Sequence, residues 1–409
     1  MNILYIDHYA GSLTMGMEFR PYYFTREWVK LGHKVSIIAG DYSHLRKKNP
    51  NVERDFQHEK VDRVDYYWIK TGKYKGNGIK RALTMVRFVT KIWMRAKWVA
   101  ETFKPDVIIC SSTYPIDTFA GQHIKKYCNN GILVHEIHDM WPSTLTEIGG
   151  MSEKNPFVLL MQAGENSAYR YSDAIVSVLP YTEKYMRKHG LKGKFVYINN
   201  GIVLDDWKRK EGLPSEHEQV LQGLKGHGKF IVGYFGGHAL SNNLSVLLDV
   251  AEDLKENNRI CFVLVGDGIE KPILQEISLK KELKNVIFLP PVSKYAIPEL
   301  TRYFDCSYIS ASNSPLYRFG IAMNKIFDSM MAAKPLVFAV NAPNNFAEMY
   351  QCGISAEAGN VDSIKNAIER LENMSEAERT KMGQNGHKAV LENYEYGGMA
   401  KRFLAAMQN

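Results

Sequence analysis

Four side chains capable of anion and hydroxyl chemistry fall close together in the stretch SPLYRFGIAMNKIFDSMMAAKPLV, Ser314 to Val337: Arg318, Asn324, Lys325 and Asp328. Ser-Pro and Phe-Gly punctuate a loop, Met323 to Ala333 has helical content, and Lys334-Pro335 stops the helix before the apolar strand run Leu336 to Val340. A helix N-terminus presents free backbone N–H groups and the positive end of the helix dipole. Gly320 to Lys325 can therefore hold an anion such as a diphosphate, with Arg318 and Lys325 adding charge. Asp328 follows Asn324 and Lys325 by four and three residues, which puts it on their helix face. There a carboxylate can accept hydrogen bonds from vicinal ribose hydroxyls. The alternative is an ordinary crossover helix with a solvated lysine and aspartate.

Two further groups sit where strands end. ILVHEIHDMWP, Ile132 to Pro142, reads as a buried strand that delivers His138, Asp139 and Trp141 at its C-terminal end. Open α/β sheets bind ligands at such ends, although a lone histidine there can equally be structural. KFIVGYF is followed by Gly236 and Gly237, which lack a Cβ and let backbone approach a phosphate closely or simply make a tight turn.

The elements that must position these residues recur as strand and helix in alternation. NILYID, a glycine-containing loop to Gly16, a helix from Phe24 to Leu31 and the strand GHKVSIIAG make a βαβ unit at the start of the chain. No G-x-G-x-x-G follows the first strand, which disfavours a dinucleotide redox enzyme. DVIICSS and AYRYSDAIVSV continue the first half, and FVYINNGIVLDDW ends it with an Asn-Asn-Gly turn. The polar stretch Lys208 to Lys229 reads as a linker, after which CFVLVGDG, NVIFLPPV, CSYISAS and KPLVFAV supply a second set of strands.

Composition sets wider limits. A chain of 409 residues suits two domains with a cleft between them, and 45% hydrophobic with 23% charged residues is ordinary for a globular protein. No run of about 18 apolar residues offers a membrane span, and no export signal precedes NILYID, so a cytoplasmic protein is expected. Cys110, Cys128, Cys261, Cys306 and Cys352 are scattered without a C-x-x-C pair, which predicts free thiols and no structural metal. The formal charge of +8 suits an anionic partner. Ile79 to Phe103 reads as one helix, with Lys80, Arg81, Arg87, Lys91, Arg95, Phe88 and Trp98 on one side and Met85, Val89, Ile92, Ala96, Val99 and Phe103 on the other. The second stripe should pack on the first sheet. The basic stripe suits an anionic membrane surface or is a solvated face; no nucleic-acid module accompanies it, so no nucleic-acid partner is expected.

Phe319-Gly320, DSMMA from Asp328 and KPLV from Lys334 resemble the nucleotide-sugar glycosyltransferases of family 4, a GT-B group that includes enzymes of O-antigen and capsule assembly. The N-K-x-F-D core and D-x-W-P resemble a variant branch typified by N-acetylfucosamine transferases, and S-D-x-I-V-x-V extends the similarity into the first half. Two departures stand out. The second glutamate of the Glu-x(7)-Glu motif appears as Asp328, with no acid near Arg318 for the first, and HALSNNL after Gly237 lacks the family's lysine.

The resemblance implies an α/β GT-B fold, two Rossmann-like domains facing each other across a cleft: residues 1–207 as acceptor domain, 208–392 as donor domain, and 393–409 crossing back. It implies His138 and Asp139, with Arg318 and Lys325, as catalytic residues, Lys325 and Arg318 replacing the missing lysine. It implies Gly16, Arg20, Gly236, Gly237, Val292, Ser293, Gly320, Asn324 and Asp328 as the donor site, Gly11 being a further candidate in the first loop. The expected activity is metal-independent, retaining transfer from a UDP-sugar, N-acetylated in this branch, to a lipid-linked saccharide acceptor, on the inner face of the cell membrane and without a cofactor. A nucleotide-sugar 2-epimerase and a catalytically silent binding subunit are the alternatives.

Overall fold

Apolar runs such as ILYI, SIIAG and VIIC have no polar face to show to water, and each becomes a strand covered on both sides by helices. The computed structural model describes residues 1–16, 19–209 and 211–408. It divides into two units, Met1–Asn199 with Tyr396–Asn409, and Asn200–Glu395. The change of unit falls inside the Asn-Asn-Gly turn.

In the first unit eight strands lie side by side in the order Gln57–Val61, Val64–Ile69, Lys34–Gly40, Asn2–Ile6, Val107–Cys110, Ile132–Ile137, Ala174–Ser177 and Lys194–Tyr197. All pair in parallel except Gln57–Val61, which runs antiparallel to its neighbour. The register matters for chemistry. Ile6 pairs with Cys110, and Ile137 pairs with Ser177, so Asp7, Ser111 and His138 all leave the sheet at its C-terminal edge.

The last helix, Tyr396–Ala406, packs on Arg20–Lys30 of the first unit. Phe403 stands edge-on to Phe24 and Trp28 at centroid distances of 5.3 and 5.1 Å, and the Trp28 indole N–H donates to the Ala400 carbonyl at 3.1 Å.

The second unit is a six-stranded parallel sheet in the order Val286–Leu289, Ile260–Val265, Phe230–Phe235, Cys306–Ser310, Leu336–Ala339 and Gly353–Ala356. Pairing of Phe235 with Val265 sets the turns that follow, at Gly236 and Gly266, against each other.

Two sequence expectations are corrected. The stretch Lys208 to Lys229 is no simple linker, because it contains the helix Ser215–Gly226, whose Leu221 is buried in the core and whose His217 donates to the Pro290 carbonyl at 2.8 Å. The single helix expected from Ile79 to Phe103 is two, Ile79–Met94 and Ala96–Phe103, separated at Arg95. Met85, Val89, Ile92, Ala96, Val99 and Phe103 are buried as the periodicity requires. The basic side departs from the helical wheel at Phe88. Phe88 is completely buried, stacked on His8 at 4.6 Å. Arg81 donates to Asn77, Arg87 to the Thr71 carbonyl, and Lys91 to Asp55 and the Lys70 carbonyl. The large apolar residues turned outward are Ile79, Leu83, Val86, Trp93, Met94 and Trp98, beside the exposed Lys80, Arg87 and Arg95.

Replacing Phe403 by alanine removes a fully buried ring from the Phe24–Trp28 cluster. The expected cost is about 3–5 kcal/mol, read from urea unfolding of the full-length chain. An unchanged midpoint would show that the terminal helix does not share the cooperative unfolding of the first unit.

Candidate functional site

In the second unit the strand Phe230–Phe235 ends in the exposed turn Gly236-Gly237. A Cβ on Gly266, in the neighbouring turn, would lie 1.9 Å from the Gly236 carbonyl oxygen, so only glycine permits this approach. Under the turn lies Lys325, which enters from the first turn of the helix Asn324–Met331. Its Nζ donates to the Tyr234 hydroxyl at 3.0 Å and to Asn242 Oδ1 at 2.5 Å. Tyr234 and the Asn242 amide both donate to the Gly237 carbonyl, at 2.6 and 2.8 Å. One small network thus ties lysine, turn and helix start together. Lys325 forms no ion pair among the described residues, and burial lowers its pKa to about 7.

Asp328 lies one turn further along. Burial raises its carboxyl to about 6, against the opposing pull of Lys294. That field connects the helix to the loop after Val286–Leu289, which carries Val292 and Ser293. Val292 packs on the core, whereas Ser293 is exposed and donates to Glu211 at 2.8 Å. Gly320, at φ 97°, closes the preceding loop through its N–H to the Tyr317 carbonyl at 2.9 Å. Asn324 is exposed at the helix start. Arg318 is exposed, stacks on Phe319 at 4.4 Å and donates to the Pro315 carbonyl at 2.7 Å. The structure therefore gathers Gly236, Gly237 and Lys325 into one contact network, with Asp328 on the same helix.

In the first unit His138 stands just past the strand Ile132–Ile137, with its side chain 15% exposed. Its Nε2 lies 2.7 Å from Ser111 Oγ, which donates to Glu136 Oε2 at 2.7 Å. Glu136 also accepts from the Tyr5 hydroxyl and pairs with Arg20 at 2.8 Å. Burial alone would raise the Glu136 carboxyl, but the Arg20 guanidinium, with His138 and the two hydroxyls, outweighs it and holds the group below the ordinary carboxylate range. Arg20 differs from its expected place at a donor diphosphate. It is 4% exposed and turned inward, where it bonds Glu136 and the carbonyls of Ile198 and Asn199. Asp139 is occupied locally, since its Oδ1 accepts from the Met140 N–H and the Thr144 hydroxyl at 2.8 and 2.9 Å. Gly16 takes φ 89° next to Lys47 in the first loop.

Sequence reasoning missed Tyr5, Ser111 and Glu136 beside His138, and Tyr234, Asn242 and His238 beside Lys325. His238 is fully buried at the glycine turn, with neither ring nitrogen hydrogen-bonded; burial, reinforced by Lys271, lowers its pKa to about 4. Asn242, at the end of the short turn Leu240–Asn242 after a glycine pair, gives no local signal, but a histidine directly after Gly236-Gly237 was visible. Among the described residues no group of three or more His, Cys, Asp or Glu side chains is placed to hold a metal ion.

Residues 15–206 match the family model described as Glycosyltransferase Family 4, and residues 216–389 match Glycosyl transferases group 1. No curated protein sequence matches the chain. Solved structures of the same fold include sucrose-phosphate synthase from Thermosynechococcus elongatus, at 15% identity and TM-score 0.74, covering 98% of this chain and 97% of that one. Another, described as trehalose-6-phosphate from E. coli bound with UDP-2-fluoro glucose, has 12% identity and TM-score 0.73, covering 100% of this chain and 99% of that one. Anabaena HepE in complex with UDP and glucose has 15% identity and TM-score 0.66, again over 100% and 99%.

The desolvated position of Lys325 predicts an ammonium that titrates near pH 7 in the free protein. Heteronuclear NMR of the lysine side chains, assigned with Lys325→Arg, checks it. A midpoint near the ordinary lysine value of about 10.4 would show that water reaches the group freely.

Proposed function

We propose that this chain, a glycosyltransferase of the GT-B fold, moves a sugar from a UDP-sugar donor, with retention of anomeric configuration, to a lipid-linked glycan acceptor in surface polysaccharide synthesis. The observation that carries the donor reading is the Lys325 network: an ammonium with no carboxylate partner among the described residues, set beneath an exposed glycine turn at the start of the helix that bears Asp328. A diphosphate supplies the charge such a lysine lacks. HepE and the E. coli structure are described with UDP ligands, which supports UDP as the nucleotide here. The N-K-x-F-D core favours an N-acetylated sugar.

The chemistry follows from where charge develops. As the glycosidic bond to the diphosphate lengthens, negative charge grows on the departing phosphate oxygens, and Lys325 with the helix start stabilises it, Arg318 adding its charge from the loop. The departing oxygen takes the proton of the acceptor hydroxyl on the same face of the sugar, which preserves configuration. His138 orients the sugar, and Asp328 accepts hydrogen bonds from the ribose. No cofactor beyond the donor is invoked, and activity should persist in EDTA, because side-chain cations do the work of a metal.

We place the acceptor at a membrane. The outward side of Ile79–Met94 carries Ile79 at 80% exposure and Met94 at 71%, with Leu83, Val86 and Trp93, and the exposed Lys80, Arg95 and Lys97 flank them. An apolar ridge bordered by cations suits the anionic inner face of a cell membrane. Among the described residues no helix is long and apolar enough to cross one, so the association is peripheral.

The function is tested by UDP release from UDP-N-acetylglucosamine and related donors, with and without a polyprenyl-linked saccharide. Release should depend on acceptor; its absence with every donor would overturn the assignment. Lys325→Ala should lower kcat about 100-fold, and Asp328→Ala should weaken UDP binding by about 1.5–3 kcal/mol. Donor binding needs Lys325 charged and Asp328 ionised. Affinity should therefore fall as pH rises above about 7 and as it drops below about 6. A flat profile from pH 5 to 9 would remove both residues from the donor site.

Trp93→Glu with Met94→Glu should abolish co-sedimentation with vesicles containing phosphatidylglycerol while sparing transfer to a soluble acceptor analogue. Equal sedimentation of the variant would show that this ridge does not meet lipid.

A further inference from the structure

Glu136 is completely buried, yet it is held as a carboxylate by Arg20 at 2.8 Å. Burying such a pair seldom stabilises a fold more than apolar residues of the same size would, so its charge calls for another use. Proton counting supplies one. An ionised carboxylate has no hydrogen to give, and every partner of its oxygens must donate. Tyr5 donates to Oε2, and Ser111 donates to the same oxygen at 2.7 Å. Ser111 has a single hydroxyl proton. Its Oγ also lies 2.9 Å from the Tyr5 hydroxyl, whose own proton goes to Glu136, and 2.7 Å from His138 Nε2; with the serine proton committed to Glu136, Oγ can only accept from the ring. Nε2 must carry the hydrogen. Nδ1 of His138 makes no hydrogen bond among the described residues.

We propose that Glu136, acting through Ser111, fixes His138 as the Nε2–H imidazole and so presents the bare Nδ1 as a hydrogen-bond acceptor to a hydroxyl or amide N–H of the donor sugar. Ser111 and Glu136 are positioning residues, and Arg20 keeps Glu136 ionised. The consequence is a preference in substrate class: a neutral sugar bearing a hydroxyl or an acetamido group is accepted where a uronate would set its carboxylate against the Nδ1 lone pair. The sugar contact rests on the donor reading above; the tautomer does not.

The two parts are tested separately in the full-length protein. With ring-labelled ¹⁵N histidine, two-bond correlation spectra at about pH 8.5, above the ordinary imidazole range, should show His138 as Nε2–H in the wild type. Ser111→Ala should convert it to a mixture of tautomers, and Ser111→Thr, which keeps the hydroxyl, should restore it. Glu136→Gln should disturb it as well; should that variant fail to fold, the Ser111 pair decides. A wild-type Nδ1–H ring, or a tautomer unchanged in Ser111→Ala, overturns the relay. In parallel, Ser111→Ala should lower kcat/KM for a neutral donor by about tenfold or more, the loss expected when one oriented hydrogen bond goes, and Ser111→Thr should recover it. An Nε2–H ring in a protein whose kcat/KM is unmoved by His138→Ala would keep the relay and overturn the sugar contact.

Discussion

The parallel register of each sheet is the constraint on which both candidate sites depend. Parallel neighbours all end on one side, so residues far apart in sequence leave the sheet together. In the first unit this brings Ser111 and His138 within 2.7 Å across 27 positions. In the second it sets the turn at Gly236 beside the one at Gly266, close enough that a single methyl group would not fit. Neither arrangement requires an unusual side chain. Each requires that the strands not slip, and strands buried on both faces cannot slip without exposing apolar surface.

Much of the architecture could be read from the sequence because it is written locally. Apolar runs of four to seven residues became strands, and the loop, helix and strand around Lys325 fell close to their expected places. What could not be read is pairing at a distance. Arg20 and Glu136 are separated by 116 positions, and Tyr5 and Glu136 by 131. The family resemblance therefore put Arg20 at the donor diphosphate, although it serves a carboxylate inside the sheet. Glu136 itself reads as a polar interruption of the run ILVHEI. Phe88 was misplaced for a related reason: a helical wheel gives angles but not which neighbours arrive, and His8, eighty positions upstream, covers that side of the helix. The pairing of Lys325 with Tyr234, across 91 positions, was foreseen only as a cation near the glycine turn.

The two buried charges illustrate opposite solutions to the same cost. Glu136 is given a guanidinium and two hydroxyls, and it stays ionised without any ligand. Among the described residues Lys325 is given only neutral oxygens, and its proton is held loosely. The first arrangement is fixed before substrate arrives and suits orientation. The second leaves an electrostatic deficit that an incoming anion relieves, so part of the attraction for a diphosphate is stored in the desolvation of the lysine.

The helix Tyr396–Ala406 gives the chain an order of assembly. The second unit is one continuous segment, Asn200–Glu395, whereas the first is closed by the later segment Tyr396–Asn409. During synthesis the second unit has all of its residues before the first has its last helix. Trp28 and Phe24 must then wait for Tyr396 and Phe403, leaving an aromatic surface open on the nascent chain until that helix has been made. The half of the protein made first is thus the half completed last.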